Sequence, residues 1–153
     1  MGPHSYTSLS GEDGGIVIDG KLHRGAFGIA AEVGHMRVVP DGLLCGCGAK
    51  GCFEQYGSGS ALMRHTREAI EANPDMAEKL LARGDGTFSG LTGTMIMEAA
   101  RAGDVIAIEA FRTTGKWIGA AVASLSAILD PEIVVIGGGV IDAGELLLSP
   151  IRE

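Results

Sequence analysis

Three cysteines crowded into a short, glycine-rich segment constrain this chain more than any other feature. Glycine occurs in both intervals between Cys45, Cys47 and Cys52, and His35 precedes the first cysteine by ten positions. Glycine lets the backbone turn sharply between ligands because positive φ angles cost it little. Three thiolates and one imidazole form a tetrahedral ligand set that suits structural zinc. The segment 34–54, GHMRVVPDGLLCGCGAKGCFE, therefore predicts a zinc-binding loop.

Two alternatives compete with this interpretation. One disulfide plus a free thiol would also use three cysteines, but residues two apart bridge poorly and an odd count leaves one unpaired. His35 alone would be an ordinary loop or core histidine, and the three cysteines close behind it favour a ligand. His23 is the other candidate for the fourth ligand.

Composition and charge narrow the class of protein. The chain has 153 residues, of which 46% are apolar, and this is enough for one folded domain. Its net charge of −7 and 5% aromatic content make a nucleic-acid surface an unlikely function. The apolar run 117–129 is too short to span a membrane, and residues 1–13 lack the pattern of a signal peptide. We expect a cytoplasmic protein whose cysteines are metal thiolates rather than disulfides.

Turn signals organise the N-terminal part of the chain. Residues 1–13 show no periodicity and are expected to form a loose start. Residues 14–24 predict a β-hairpin around Asp19-Gly20. A short strand is expected at residues 36–39, ended by Pro40-Asp41-Gly42.

Capping residues organise the rest. Helices are predicted to begin after Ser58 or Ser60, after Thr92 and after Asp104, and the last of these is the longest. Residues 133–136 are an apolar strand of the kind that parallel sheets bury on both faces. A final helix is expected to start near Asp142. This order of elements predicts an α/β fold.

The loop and its surroundings resemble the ROK family of sugar kinases and repressors, in particular its bacterial glucokinase type. The resemblance is carried by GH, by CGCGAKGCFE and by the flanking GIVIDGKLHRGAFGIAAEVGHMRVVPDG and EQYGSGSAL. It implies that residues 14–153 are the C-terminal lobe of an actin-like, ribonuclease-H-like ATPase fold, truncated before the family's C-terminus. Residues 1–13 would then be a non-matching N-terminal segment.

The resemblance also implies a sugar site at Glu32, His35 and Glu54, since the matching residues of the family contact glucose. One carboxylate can accept hydrogen bonds from two neighbouring hydroxyls. Glu32 and His35 are three apart, so one helical turn would place them on the same side. Zinc would then hold His35 and Glu54 in place rather than act on the substrate. The alternative for each glutamate is a solvated surface charge.

Two glycine clusters are candidates for nucleotide binding. Gly137, Gly138 and Gly139 follow an apolar strand and precede a predicted helix, where backbone and helix N-terminus can approach a nucleotide. Such a triplet is often only a turn, but in the family it lies beside the adenosine of ATP, which binds with Mg²⁺. Gly14 and Gly15 are similar to the end of a second, phosphate-binding loop.

The chain departs from the family pattern in two places. The family's phosphate loop has Thr-Gly before GGI, where this chain reads SLSGED. The family's catalytic base is an Asp in an N-terminal lobe, and neither that Asp nor the lobe's DxGGT loop has a counterpart in residues 1–13. Phosphoryl transfer needs both positioning and a group that accepts the hydroxyl proton. The resemblance therefore implies part of an ATP-dependent glucokinase, with no catalytic residue of its own and inactive in isolation.

A sugar-sensing ROK repressor is the alternative function, with its helix-turn-helix outside this chain. The third hypothesis is a zinc-binding scaffold that binds no ligand besides the metal. The apolar surface of the long helix and of the hairpin predicts that the chain associates, and family members form homodimers through this lobe.

Overall fold

The computed structural model describes residues 6–10 and 13–153. Strands lie at Tyr6–Ser10 (β1), Asp13–Ile18 (β2), Lys21–Leu22 (β3) and Ile133–Gly137 (β4). The α-helices span Glu54–Gly57 (α1), Gly59–Ala72 (α2), Glu78–Leu81 (α3), Gly93–Arg101 (α4), Val105–Leu129 (α5) and Glu145–Arg152 (α6). Short 3₁₀ turns occur at Val33–His35, Pro74–Met76, Phe88–Gly90 and Ile141–Ala143. The predicted α/β class is confirmed.

The predicted hairpin is present as β2 and β3. The two strands pair antiparallel, with Val17 opposite Leu22. Asp19 and Gly20 have φ angles of 53° and 73°. Positive φ at both central residues is the requirement of a type I′ turn, whose twist matches that of the flanking strands. The Asp-Gly pair therefore fixes the register of this hairpin.

The prediction of a loose start is wrong for Tyr6–Ser10, which forms an inner strand of the sheet. β1 pairs antiparallel with β2 and parallel with β4, in the sheet order β3-β2-β1-β4. Neighbours on both sides fix its backbone, although the sequence YTSLS has little apolar alternation. Residues 1–5, 11 and 12 lie outside the described part of the chain.

The predicted helix starts are confirmed. Ser58, Thr92 and Asp104 each accept a hydrogen bond from a backbone N–H two or three positions ahead. These bonds satisfy donors that have no partner within the helix. They fix where α2, α4 and α5 begin.

Helix α5 is the centre of the core, packed against α2, α4 and α6. Its contact with α6 is close: a Cβ on Gly115 would lie 2.6 Å from the Pro150 side chain, and one on Gly119 would lie 2.6 Å from the Ile151 carbonyl oxygen. The apolar face of α5, which we expected to serve association, is therefore buried within the chain. None of the described helices, α5 included, is long and apolar enough to cross a membrane.

One face of the sheet is covered. Val134 packs against Val33 and Leu125, whereas Ile133 and Val135 expose 47% and 48% of their surface. Alternate side chains point to opposite faces of a strand, and no described helix covers the second face. The prediction that residues 133–136 are buried on both faces is therefore wrong.

Two element boundaries also differ from prediction. Residues 36–39 do not form a strand, and an isolated bridge joins Arg37 to Cys52 instead. The last helix begins at Glu145, because a 3₁₀ turn occupies Ile141–Ala143. The Arg37 bridge has the larger consequence, since it ties the segment after His35 to the last cysteine.

Candidate metal centre and adjoining cavity

The side chains of His35, Cys45, Cys47 and Cys52 converge on one point. One ligand atom from each lies within 4.8 Å of all the others. Cys47 Sγ and Cys52 Sγ are 3.7 Å apart, and so are Cys45 Sγ and His35 Nδ1. A tetrahedron built on zinc–sulfur bonds of about 2.3 Å has edges of about 3.8 Å, so the residues fit a zinc ion. The three cysteines are free thiols.

Backbone hydrogen bonds and glycines shape this loop. Cys45 N–H donates to the Ala49 carbonyl at 2.8 Å, and a bridge joins Leu44 to Lys50. Gly51 has a φ of 79°, and a Cβ there would lie 1.6 Å from the Val39 carbonyl oxygen. Only glycine fits that position. The sharp turns expected between the cysteines are therefore present.

The protonation of the cysteines depends on their neighbours. Burial, with help from the other two sulfurs, raises the pKa of Cys52 to about 12. For Cys45, a hydrogen bond from the Cys47 backbone favours the thiolate, but burial and the Glu54 carboxylate outweigh it, and the pKa is raised. The Ala49 backbone N–H lowers the pKa of Cys47. Three adjacent thiolates require a cation among them, and this donor set supplies soft sulfur ligands to one.

Tyr56 closes the loop from the side, and sequence reasoning missed it. Its hydroxyl oxygen accepts a hydrogen bond from the Leu43 N–H at 2.9 Å. The ring is buried against Trp117, with centroids 4.7 Å apart. A Cβ on Gly42 would lie 2.2 Å from the hydroxyl, so glycine admits this contact. Tyr56 therefore joins α1 to the backbone just before the first cysteine.

Replacing Tyr56 by Phe is expected to weaken zinc binding about fivefold, the equivalent of about 1 kcal/mol for one hydrogen bond. The ring packing is kept, but the Leu43 N–H at the start of the loop loses its hydrogen bond. Competition with a chromophoric chelator measures the change. Thr114→Val is the matched control, because it removes a buried hydroxyl that donates to the Ala110 carbonyl away from the loop. Equal zinc affinity in wild type and Tyr56→Phe contradicts this role.

The predicted sugar residues lie around this loop. His35 ends the 3₁₀ turn and Glu32 precedes it, so the expected helical turn between them is present. Glu54 is the first residue of α1, and Cys45 Sγ donates to its Oε2 at 3.2 Å. His35 and Glu54 therefore both contact Cys45. The side chains of Glu32 and His35 are exposed, and that of Glu54 is half-buried.

A cavity of about 390 Å³ adjoins the segments that carry the candidate metal ligands, since Val33 and Phe53 line it. It is lined by Gly137, Gly138 and Gly139, by the N-termini of α2 and α4, and by Asp142. Its apolar walls are Val33, Phe53, Leu62, Met97, Phe111, Ile118, Ile136 and Val140. Apolar walls can hold a planar ring, and helix N-termini favour negative charge. Sequence reasoning named the glycines but missed the walls, which come from distant segments.

Gly14 and Gly15 are placed differently from the glycine triplet. They are the second and third residues of β2 and are not among the residues that line the cavity. A Cβ on Gly14 would lie 2.3 Å from the Ala31 carbonyl oxygen, so close packing accounts for this glycine. Ser10 pairs with both Asp13 and Gly137, so the end of β1 and the start of β2 lie beside the first glycine of the triplet.

Comparison with known proteins places the fold in the actin-like ATPase class and gives the family. The structure matches that of a ROK family glucokinase from Streptomyces griseus in complex with glucose and AMPPNP, with a TM-score of 0.92 and 50% identity, over 99% of this chain and 50% of that one. The ROK family profile matches residues 7–153, which includes part of the segment 1–13. The chain belongs to the ROK family.

Two further relatives bear on function. A glucokinase of Streptomyces coelicolor is 51% identical over 144 residues, which are 94% of this chain and 45% of the relative. A ROK family transcriptional regulator, a homologue of the E. coli MLC protein, matches with a TM-score of 0.75 and 28% identity over 97% of this chain and 36% of that one. The chain thus spans about half the length of the glucokinases it matches.

Proposed function

We propose that this chain is the sugar- and zinc-binding lobe of an ATP-dependent glucokinase, a transferase that forms glucose 6-phosphate. The observation that carries the proposal is the likeness to the S. griseus glucokinase, whose complex contains glucose and AMPPNP. The 51% identity to the S. coelicolor glucokinase supports the same substrate.

Glucose would contact Glu32, His35 and Glu54. The carboxylates accept hydrogen bonds from sugar hydroxyls. His35 Nδ1 faces Cys45, so a metal bound through Nδ1 leaves Nε2–H free to donate to a hydroxyl. Zinc held by His35, Cys45, Cys47 and Cys52 would supply structural rigidity, since all four positions of a tetrahedron are taken by protein.

ATP would place its adenosine in the cavity beside Gly137, Gly138 and Gly139. The apolar walls suit the adenine ring, and the Asp142 carboxylate can accept a hydrogen bond from a ribose hydroxyl or the adenine amino group. We place the phosphates, with Mg²⁺, toward Gly14 and Gly15, because the start of β2 and the glycine triplet both lie beside Ser10 at the end of β1. The base that takes the hydroxyl proton is assigned to the other lobe of the enzyme.

Replacing Glu54 by Gln is expected to weaken glucose binding by the two-lobed protein about 10- to 100-fold. Hydrogen bonds to a charged acceptor are worth about 1.5–3 kcal/mol, and the amide keeps the shape but loses the charge. Calorimetric titration with glucose measures the loss. Glu109→Gln is the control, on an exposed part of α5. Undiminished glucose affinity in Glu54→Gln overturns the sugar-site assignment.

A sugar-responsive repressor is the second candidate, favoured by the likeness to the transcriptional regulator. Such a protein would bind the sugar through the same residues and bind DNA through a separate helix-turn-helix. This chain's net charge of −7 gives no bulk attraction to DNA. The coding sequence upstream of residue 1 tests the two candidates: a kinase lobe with a catalytic Asp would support the enzyme, and a helix-turn-helix would support the repressor.

Location and association complete the proposal. The three cysteines form no disulfide, and cysteines that serve as metal thiolates suit the reducing cytoplasm. Self-association, as a homodimer, is supported by the exposed apolar residues of the sheet, Leu22, Ile133 and Val135. Light scattering at high micromolar concentration tests it, and a monomer at that concentration contradicts it.

A further inference from the structure

The metal centre and the cavity share a wall through Phe53. This residue follows the ligand Cys52 directly and is 5% exposed. Its ring lines the cavity and packs so closely on Gly57 that a Cβ there would lie 2.3 Å from a ring carbon. Its N–H donates to the Met36 carbonyl at 2.8 Å. Because Phe53 is bonded directly to Cys52, a displacement of Cys52 also displaces this part of the cavity wall.

A second wall is connected in the same way. Val33 lines the cavity, is 8% exposed and begins the 3₁₀ turn that ends at the ligand His35. The bridge between Arg37 and Cys52 joins the two segments. His35 and Cys52 approach the same metal position, so a metal ion there holds Val33 and Phe53 at a fixed separation.

We propose that the metal and an adenine nucleotide bind cooperatively, because Val33 and Phe53 belong to segments that hold the metal and also to walls of the cavity. The inference rests on the proposed nucleotide site and adds a regulation to it. Coupling between sites is reciprocal, so the factor by which metal tightens nucleotide binding equals the factor by which nucleotide tightens metal binding. We expect a factor of about five to ten, at the lower end of typical couplings.

The experiment measures zinc affinity of the full 153-residue chain with and without saturating adenosine. Adenosine is the probe because it lacks phosphates that would bind zinc themselves. Competition with a chromophoric chelator gives the zinc affinity, and an NMR titration of the zinc-loaded chain gives the adenosine affinity. Adenosine is expected to raise zinc affinity about five- to tenfold.

Phe53→Leu distinguishes coupling from a general effect on folding. The zinc-loaded variant keeps its ligands and an apolar side chain, but the coupling factor should fall toward one. Met95→Leu, a conservative change in a partly buried residue that packs against the core and does not line the cavity, should keep the full factor. Circular dichroism of the zinc-loaded forms confirms that both variants are folded.

The outcomes separate the two levels of proposal. Adenosine binding with unchanged zinc affinity in the wild type overturns the coupling and leaves the nucleotide site standing. If the Phe53→Leu variant keeps the full zinc–adenosine coupling factor, Phe53 does not transmit the coupling. A zinc-loaded wild-type chain that does not bind adenosine overturns the nucleotide assignment of the cavity, and the coupling with it.

Discussion

Removal of zinc is expected to lower the free energy of unfolding of this chain by on the order of 10 kcal/mol, the scale of structural zinc sites in peptides. Ordinary domains are stable by about 5–15 kcal/mol, so the chelated protein should unfold at a much lower urea concentration. The structure explains the size of the effect, because the ligands tie the 3₁₀ turn before residue 36 to the start of α1. Elemental analysis and urea unfolding with and without chelator measure it.

Cys47→Ser supplies the matched comparison. Cys47 is exposed, so the substitution removes no core volume and should act only through the metal. In zinc it should lower both stability and sugar affinity, whereas after chelation it should equal the wild type. Protein purified without chelator that carries no stoichiometric zinc contradicts the metal centre.

Glucose 6-phosphate formation is expected to be absent from this chain alone and robust when the chain is joined to a kinase lobe. Loss of a general base costs about 10²–10⁴-fold, because a proton acceptor must lie within about 3 Å of the attacking hydroxyl. Loss of phosphate-binding groups adds to this cost, since phosphoryl transfer depends on positioning and charge stabilisation. In the proposed function Glu32, His35 and Glu54 would form one wall of the sugar site, and the base would come from the other lobe.

A coupled assay for glucose 6-phosphate compares the chain alone with the chain joined to a kinase lobe. Glu54→Gln in the longer form is the control for the proposed sugar contacts. Turnover by the short chain means that the catalytic groups lie within it. An inactive longer form favours the repressor.

Local signals in the sequence predicted the parts of the fold that depend on local chemistry. Asp19 and Gly20 determine a type I′ turn by their own φ angles, and Ser58 and Asp104 begin helices by bonding to nearby N–H groups. β1 was not predicted because it is defined by its pairing with β2 and β4, and β4 lies far away in the sequence. The exposed face of β4 was not predicted either, because the sequence of a strand does not say what covers each of its faces.

The candidate site divides in the same way. The spacing of the cysteines predicted the metal cluster, because ligands that are close in sequence must be close in space. Tyr56 was missed, since its partner Leu43 lies across a loop whose path the spacing does not fix. The cavity was missed because its walls extend from Val33 to Asp142, and only the packing of α5 against α2, α4 and α6 brings them together.

The position of the metal ligands along the chain also sets an order of folding. His35 and Cys52 are near neighbours in sequence, and closing a short loop is fast and costs little chain entropy. β1 must wait far longer, because its parallel partner to Tyr6 is Ile133. During synthesis the zinc ligands therefore leave the ribosome before Ile133 and the rest of β4 are made. We therefore expect the metal site to assemble on the nascent chain before Gly137, Gly138 and Gly139 complete the cavity.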